Sequence, residues 1–241
     1  MATRRRAVPD LADTKAILAE LRHHARPDAK AKLARFGIPG DDALGLAMAE
    51  VQAIARRIGC RHDLVDELWA TGIYEARLLC AYVDEPTAVT KAQMQRHCRD
   101  FADWATCDTL CFALWDRTPH ALAMVDAWAN ARGEFQRRAA FALLAALALH
   151  DKERDDADFV RRLPLCAEAA DDGRNFVKKG VLWALNAIGR RSPAMHECTL
   201  ALCTELAARE EPSARWIGKT GLRELRKAKV RGAGPAEKKR R

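Results

Sequence analysis

The middle of the chain holds residues whose types and spacing could carry chemistry. Trp104 and Asp108 stand four apart in the sequence, so they share one face if this segment is helical. Aromatic faces attract cations, and a fixed carboxylate stabilises positive charge that develops during a reaction. Trp183 lies in a second helical segment and is a further candidate.

Each of these residues also has a plain structural interpretation. A tryptophan in a repeat helix usually belongs to the core, as we expect for Trp69, Trp115 and Trp128. An aspartate such as Asp108 is more often a helix cap or a salt-bridge partner. Spacing alone therefore leaves the chemical and structural interpretations open.

The elements that must position these side chains are helices. Apolar residues recur at three-to-four spacing in about a dozen segments, and no segment is typical of a strand. They lie near residues 12–24, 42–59, 61–71, 73–83, 90–101, 107–117, 119–131, 134–150, 156–170, 174–189, 194–209 and 212–228. Short turns between the segments, such as Asp171-Asp172-Gly173, predict that consecutive helices are antiparallel neighbours.

An internal repeat of 41 residues runs through the second half of the chain. The segments 136–141, 177–182 and 218–223 align at this offset without gaps. This period is typical of HEAT repeats, so we predict an all-α fold: a right-handed α-α superhelix, or HEAT-like/ARM-like repeat solenoid. We expect residues 11–228 to form one repeat domain, with basic disordered tails at 1–10 and 229–241.

The repeat also brings basic residues into register. Arg137, Lys178 and Lys219 occupy equivalent positions, and Arg138 and Lys179 follow the first two. Stacked repeats would place them in a row suited to a phosphate backbone, or they could simply solvate helix starts.

Charge and composition restrict the class of protein. The formal net charge is +8, but most of the excess lies in the tails and the body from Asp10 to Leu225 is slightly acidic. No stretch is long and apolar enough to span a membrane, and the eight cysteines show no Cys-x-x-Cys pair. We expect a protein of the bacterial cytosol or nucleoid with free buried thiols, no membrane association, no metal site and no cofactor.

The order of four features resembles the AlkD-like DNA alkylation repair family. Trp104 and Asp108 match the paired aromatic and catalytic carboxylate of that family, Arg138 matches its phosphate-contacting arginine, and Trp183 matches its second cleft tryptophan. Flanking similarity extends over residues 37–225. One departure is the N-terminal cleft aromatic of the family, for which Phe36 is a poor substitute.

The resemblance implies a DNA glycosylase that hydrolyses the N-glycosidic bond of N3- or N7-alkylated purines in double-stranded DNA. Asp108 would stabilise the oxocarbenium-like transition state, and Trp104 and Trp183 would hold the deoxyribose and the cationic lesion. The DNA-binding residues would be Arg137, Arg138, Lys178, Lys179 and Lys219, and the protein is expected to be a monomer.

Two other functions stay open at this stage. The first is a non-catalytic HEAT-like protein that binds DNA or recognises damage, which the missing aromatic favours. The second is a HEAT scaffold for a protein partner. Trp104, Asp108 and Trp183 facing one groove would favour the DNA functions, whereas burial of both tryptophans in separate helix pairs would favour the scaffold.

Overall fold

A computed structural model describes residues 11–38 and 42–232 of the chain. Within these residues there are helices, turns and loops but no strand, which confirms the predicted all-α class. Residues 1–10 and 233–241, which include most of the two expected basic tails, lie outside the described part. The chain divides into two compact units, the first ending at Val89 and the second beginning at Thr90. The expectation of one repeat domain over 11–228 stays a prediction.

In its described residues the first unit contains five α-helices, of which α3 and α4 both pack against α5. Their bounds are α1 Thr14–His23, α2 Lys30–Arg35, α3 Met48–Ile58, α4 Val65–Ala70 and α5 Tyr74–Val83. The fully buried carboxylate of Glu75 accepts hydrogen bonds from the backbone N–H groups of Leu44, Gly45 and Leu46. Since a buried charge is costly without partners, these bonds fix the loop that leads into α3.

The second unit contains nine α-helices within the described residues. They are α6 Lys91–Arg99, α7 Trp104–Ala113, α8 Ala121–Trp128, α9 Glu134–His150, α10 Asp156–Val160, α11 Leu163–Ala169, α12 Asn175–Ile188, α13 Pro193–Ala208 and α14 Pro212–Leu225. The predicted segment 156–170 is two helices, because the chain turns at Arg162 before α11 begins with Pro164 in its first turn.

The aligned repeat segments all lie in helices that are neighbours in space. They begin near the starts of α9 and α12 and in the middle of α14, and α12 packs against both α9 and α14. Helix α7 also packs against α9. The three repeat helices and α7 therefore form a row of contacts in the order α7, α9, α12 and α14, and these four helices carry the candidate residues.

Close helix packing explains the glycine at the start of the third aligned segment. A Cβ atom on Gly218 would lie 2.2 Å from the backbone N of Ala207 and 2.5 Å from the carbonyl O of Cys203. Both atoms belong to the backbone of α13, so a side chain on Gly218 would force α13 and α14 apart.

Candidate nucleic-acid interface and active site

Helix α7 aligns the first two candidate residues with a third aromatic residue. Asp103 caps the helix by accepting hydrogen bonds from the backbone N–H and the hydroxyl of Thr106, so α7 begins at Trp104, before the predicted start at 107. Trp104, Asp108 and Phe112 then follow at four-residue intervals and share one helical face. Trp104 and Asp108 are partly exposed, whereas Trp69, Trp115 and Trp128 are buried in the core as predicted.

Asp108 is bound on both carboxylate oxygens by one guanidinium group. Arg138 Nε donates to Oδ1 over 2.8 Å, and Arg138 Nη2 donates to Oδ2 over 2.7 Å. Nη1 of the same arginine donates to the carbonyl O of Phe176, also over 2.8 Å. The Arg138 side chain therefore ties together α7, α9 and the first turn of α12.

Burial of this ion pair affects the pKa of both partners. The Asp108 side chain is 15% exposed and that of Arg138 is 7% exposed. Burial raises the pKa of Asp108 above its ordinary value, although the hydrogen bonds and charge of Arg138 oppose this effect. Burial also acts to lower the pKa of Arg138, but the hydrogen bonds and charge of Asp108 outweigh it, so that pKa is raised. The guanidinium thus stays charged and favours an ionised carboxylate beside it.

Trp183 is brought next to α7 by a ring stack that the sequence analysis did not identify. Its ring lies 4.3 Å from that of Phe112, with an angle of 8° between the two planes. Phe112 stands four residues after Asp108, which is about 6 Å along the helix axis. Trp183 therefore lies beside the α7 face that carries Trp104 and Asp108. The signal for Phe112 was present in the sequence, since it continues the four-residue spacing of that face.

A histidine and a buried carboxylate adjoin this aromatic stack. The His150 ring meets Phe112 edge to face at 5.5 Å, and its Nδ1 lies 2.5 Å from Oδ2 of Asp116. The Asp116 side chain is 3% exposed. Burial raises the pKa of Asp116, against the opposing hydrogen bond and charge of His150. These contacts fix the His150 ring against Phe112.

The five expected DNA-binding residues differ in whether their charged groups already contact other groups of the protein. Arg138 is paired with Asp108, as described above. The Arg137 side chain also has partners within the protein, because it donates to the carbonyl O of Ala129 and to Asp172. Lys178 lies over the Trp216 ring at 5.1 Å, and Lys179 and Lys219 are exposed. The phosphate contacts of all five stay predictions, and the two lysines with exposed side chains are the most accessible of the set.

Other expectations concern metals, membranes and the N-terminal aromatic residue. In the part of the chain that the structure describes, no three His, Cys, Asp or Glu side chains are grouped closely enough to hold a metal ion. No described helix is both long and apolar enough to cross a membrane. Phe36 lies in the first unit, is 59% exposed and lines a cavity of about 340 Å³.

The comparison with protein families supports the resemblance found in the sequence. The model of a family described as DNA alkylation repair enzyme matches residues 17–210. The chain belongs to this family. No curated protein sequence matches it significantly.

Solved structures with a similar fold were found for this member of the DNA alkylation repair family. One match belongs to a new family of proteins related to the HEAT-like repeat DNA glycosylases with affinity for branched DNA structures. It has a TM-score of 0.73 and 18% identity, and covers 92% of this chain and 99% of that chain. This likeness confirms the HEAT-like repeat fold. Two designed armadillo repeat proteins, one bound to a (KR)4 peptide, match with TM-scores of only 0.34 and 0.35. They are 11% and 12% identical and cover 90% of this chain and 95% and 96% of their own.

Proposed function

We propose that this protein is a DNA glycosylase that removes cationic N3- or N7-alkylated purines from double-stranded DNA. The observation that supports this best is the partly exposed Asp108 carboxylate, fixed by Arg138 on the same helical face as Trp104 and close to Trp183. A repair enzyme of this kind needs a fixed negative charge beside aromatic surfaces.

The proposed reaction is hydrolysis of the bond between C1′ of deoxyribose and the purine nitrogen. The alkylated purine already carries a positive charge, so the electron pair of the breaking bond neutralises it and no protonation of the leaving group is needed. Positive charge develops on the sugar, where the Asp108 carboxylate stabilises it. Water adds to C1′ and gives up one proton to Asp108 or to solvent, which leaves a hydroxyl group on C1′ and a neutral free base.

The aromatic residues favour the cationic lesion over a neutral purine. Contact of a cation with the face of a tryptophan is worth about 0.5 to 2 kcal/mol, depending on how far both groups are desolvated. Phe112 covers one face of Trp183, so the lesion or its sugar contacts the opposite face. Lys178, Lys179 and Lys219 contact phosphates, which gives affinity without sequence selectivity.

Arg138 has a positioning role in this proposal. Its three hydrogen bonds to Asp108 and the Phe176 carbonyl hold the carboxylate in one orientation and keep it charged. Any phosphate contact that Arg138 makes would be additional to this role.

The test is release of 7-methylguanine from duplex DNA under single-turnover conditions by the wild type and by Asp108→Asn. We expect release by the wild type and a strong loss in the variant, because charge is removed where charge develops in the reaction. Asp126→Asn is the matched control, since it neutralises an aspartate of another ion pair, that with Arg162. Equal rates in the wild type and Asp108→Asn would exclude the proposed role of Asp108.

A second candidate function is non-catalytic binding of DNA. It is favoured by the two oxygens of Asp108, which are both already bonded to Arg138, and by the affinity of the structural relative for branched DNA structures. No base release together with tighter binding to a four-way junction than to a duplex would support this function instead.

A further inference from the structure

A second basic site lies at the other end of the helices that carry the candidate active site. A cavity of about 340 Å³ is formed by the C-terminal ends of α9 and α12 and by the segment that follows α14. Among the residues that the structure describes, its lining includes no acidic residue and five basic residues, which are Lys152, Arg190, Arg191, Lys229 and Arg231. The first four residues of the expected C-terminal tail, 229–232, therefore include part of this wall.

Two of the five basic residues build the wall of the cavity. Arg191 donates to Asp156 and to the carbonyl oxygens of Ala148 and Asp151. Arg231 is held by its backbone N–H, which donates to the carbonyl O of Arg190, and by Nη1, which donates to the carbonyl O of Lys152. These bonds satisfy carbonyl groups at helix ends and fix the shape of the cavity.

The other three basic residues are differently placed. Lys152, Arg190 and Lys229 have exposed side chains, and among the residues that the structure describes no carboxylate forms an ion pair with any of them. The partial negative charge of the helix ends offsets part of their repulsion, but this effect is small at an exposed site. A concave surface with three such cations is complementary to an anion.

The position of the cavity relative to α12 indicates which anion it binds. Lys179, Trp183 and Ala187 follow at four-residue intervals and share one face of α12, and Arg190 lies two residues beyond the end of this helix. Ala187 lines the cavity and lies about 6 Å along the axis from Trp183. Successive phosphates of one DNA strand are separated by about 3.4 Å of helix rise. A strand in contact with Trp183 would therefore reach the cavity within a few nucleotides.

We propose that Lys152, Arg190 and Lys229 form a second binding site for the phosphate backbone of DNA, in the cavity that begins at Ala187, one helical turn beyond Trp183. The inference rests on the DNA-binding part of the proposed function and not on catalysis. Binding here would anchor the strand on the far side of the lesion from Lys179.

The test is the salt dependence of duplex binding, measured by fluorescence anisotropy over a range of KCl concentrations. The site variant is Lys152→Gln/Arg190→Gln/Lys229→Gln, and the control variant is Lys91→Gln/Arg99→Gln/Arg132→Gln, which removes the same charge from exposed residues before α9. We expect the slope of log Kobs against log salt to become shallower by about 2 to 3 in the site variant, at roughly 0.9 per phosphate contact. The control slope should not change.

An unchanged slope in the site variant, or equal changes in both variants, would overturn the proposal. If the triple variant does not fold, Arg190→Gln alone should still make the slope shallower by about 0.9. Binding of a free mononucleotide that is lost in the site variant, with duplex binding unaffected, would assign the cavity to a small ligand and also overturn the proposal.

Failure of this inference can be told apart from failure of the proposed function. If the wild type releases no 7-methylguanine but the site variant has the expected shallower slope, only the proposed glycosylase activity is excluded. Base release with an unchanged slope removes only the second phosphate site.

Discussion

Asp108 and Arg138 form a two-point ion pair between α7 and α9, with both carboxylate oxygens within 2.8 Å of the guanidinium nitrogens. Because both side chains are largely buried, removing one partner leaves an unpaired group in a poorly hydrated site. The pair therefore couples the proposed catalytic charge to the stability of the second unit.

A double-mutant cycle separates these two roles. We expect Asp108→Asn and Arg138→Gln each to lower the free energy of unfolding by about 3 kcal/mol, since each leaves its partner unpaired. The double variant should recover part of this loss, because its amides can bond to each other. Chemical denaturation and 7-methylguanine release are measured on the same samples. Activity that recovers together with stability would contradict a chemical role for Asp108.

The pH dependence of base release should reflect the raised pKa of Asp108. The proposed reaction needs the ionised carboxylate, so its rate falls as the pH is lowered through this pKa. Since burial raises the pKa, the fall begins at a higher pH than for an ordinary aspartate with a pKa of 3.8. Single-turnover rates, corrected for spontaneous base loss without enzyme, measure the profile. A rate that stays constant through pH 3.8 would contradict the prediction.

Asp172 should make a larger contribution to stability than its neighbour Asp171. Hydrogen bonds from Arg174, with further bonding from Arg137, lower the pKa of Asp172 from 3.8 to about 2. Its stabilising effect is therefore complete above pH 3.8 and is lost as the pH falls towards 2. We expect Asp172→Asn to cost about 2 kcal/mol at neutral pH, whereas Asp171→Asn, at a site 47% exposed, should cost little. Equal unfolding free energies for the two variants would show that the Asp172 bonds contribute nothing.

Arg137 and Lys179 should respond differently to loss of charge. Arg137→Gln breaks contacts to Ala129 and Asp172, so we expect reduced thermal stability and little change in the salt slope of DNA binding. Lys179→Gln should leave stability unchanged and make the slope shallower by about 0.9. Thermal unfolding and anisotropy titrations distinguish the two variants, and a reversed pattern would make Arg137 the phosphate contact.

Gly218 should be intolerant of a methyl group. Its Cβ position overlaps the backbone of α13, so Gly218→Ala is expected to cost about 1 to 3 kcal/mol in spite of the better helix propensity of alanine. Gly173→Ala is the matched control, because nothing lies within 4 Å of its Cβ position. Denaturant midpoints measure both, and similar midpoints would show that α13 and α14 separate without cost.

The sequence by itself determined the helical class, the repeat and the residues that share a helical face. The 41-residue offset placed equivalent segments in α9, α12 and α14, and the four-residue spacing of Trp104 and Asp108 put both on one side of α7. These features depend on helical periodicity, which is local and can be counted along the chain.

Only the tertiary structure decided which side chains meet between helices. The partners Asp108 and Arg138 are 30 residues apart, and Arg137 and Asp172 are 35 apart. The repeat register predicted a row of basic residues. It did not show that Arg137 and Arg138 bind carboxylates of neighbouring elements. The stack of Phe112 on Trp183 was equally hidden. Periodicity fixes the direction of a side chain around its own helix, whereas its contacts depend on how far neighbouring helices are shifted and rotated as the core packs.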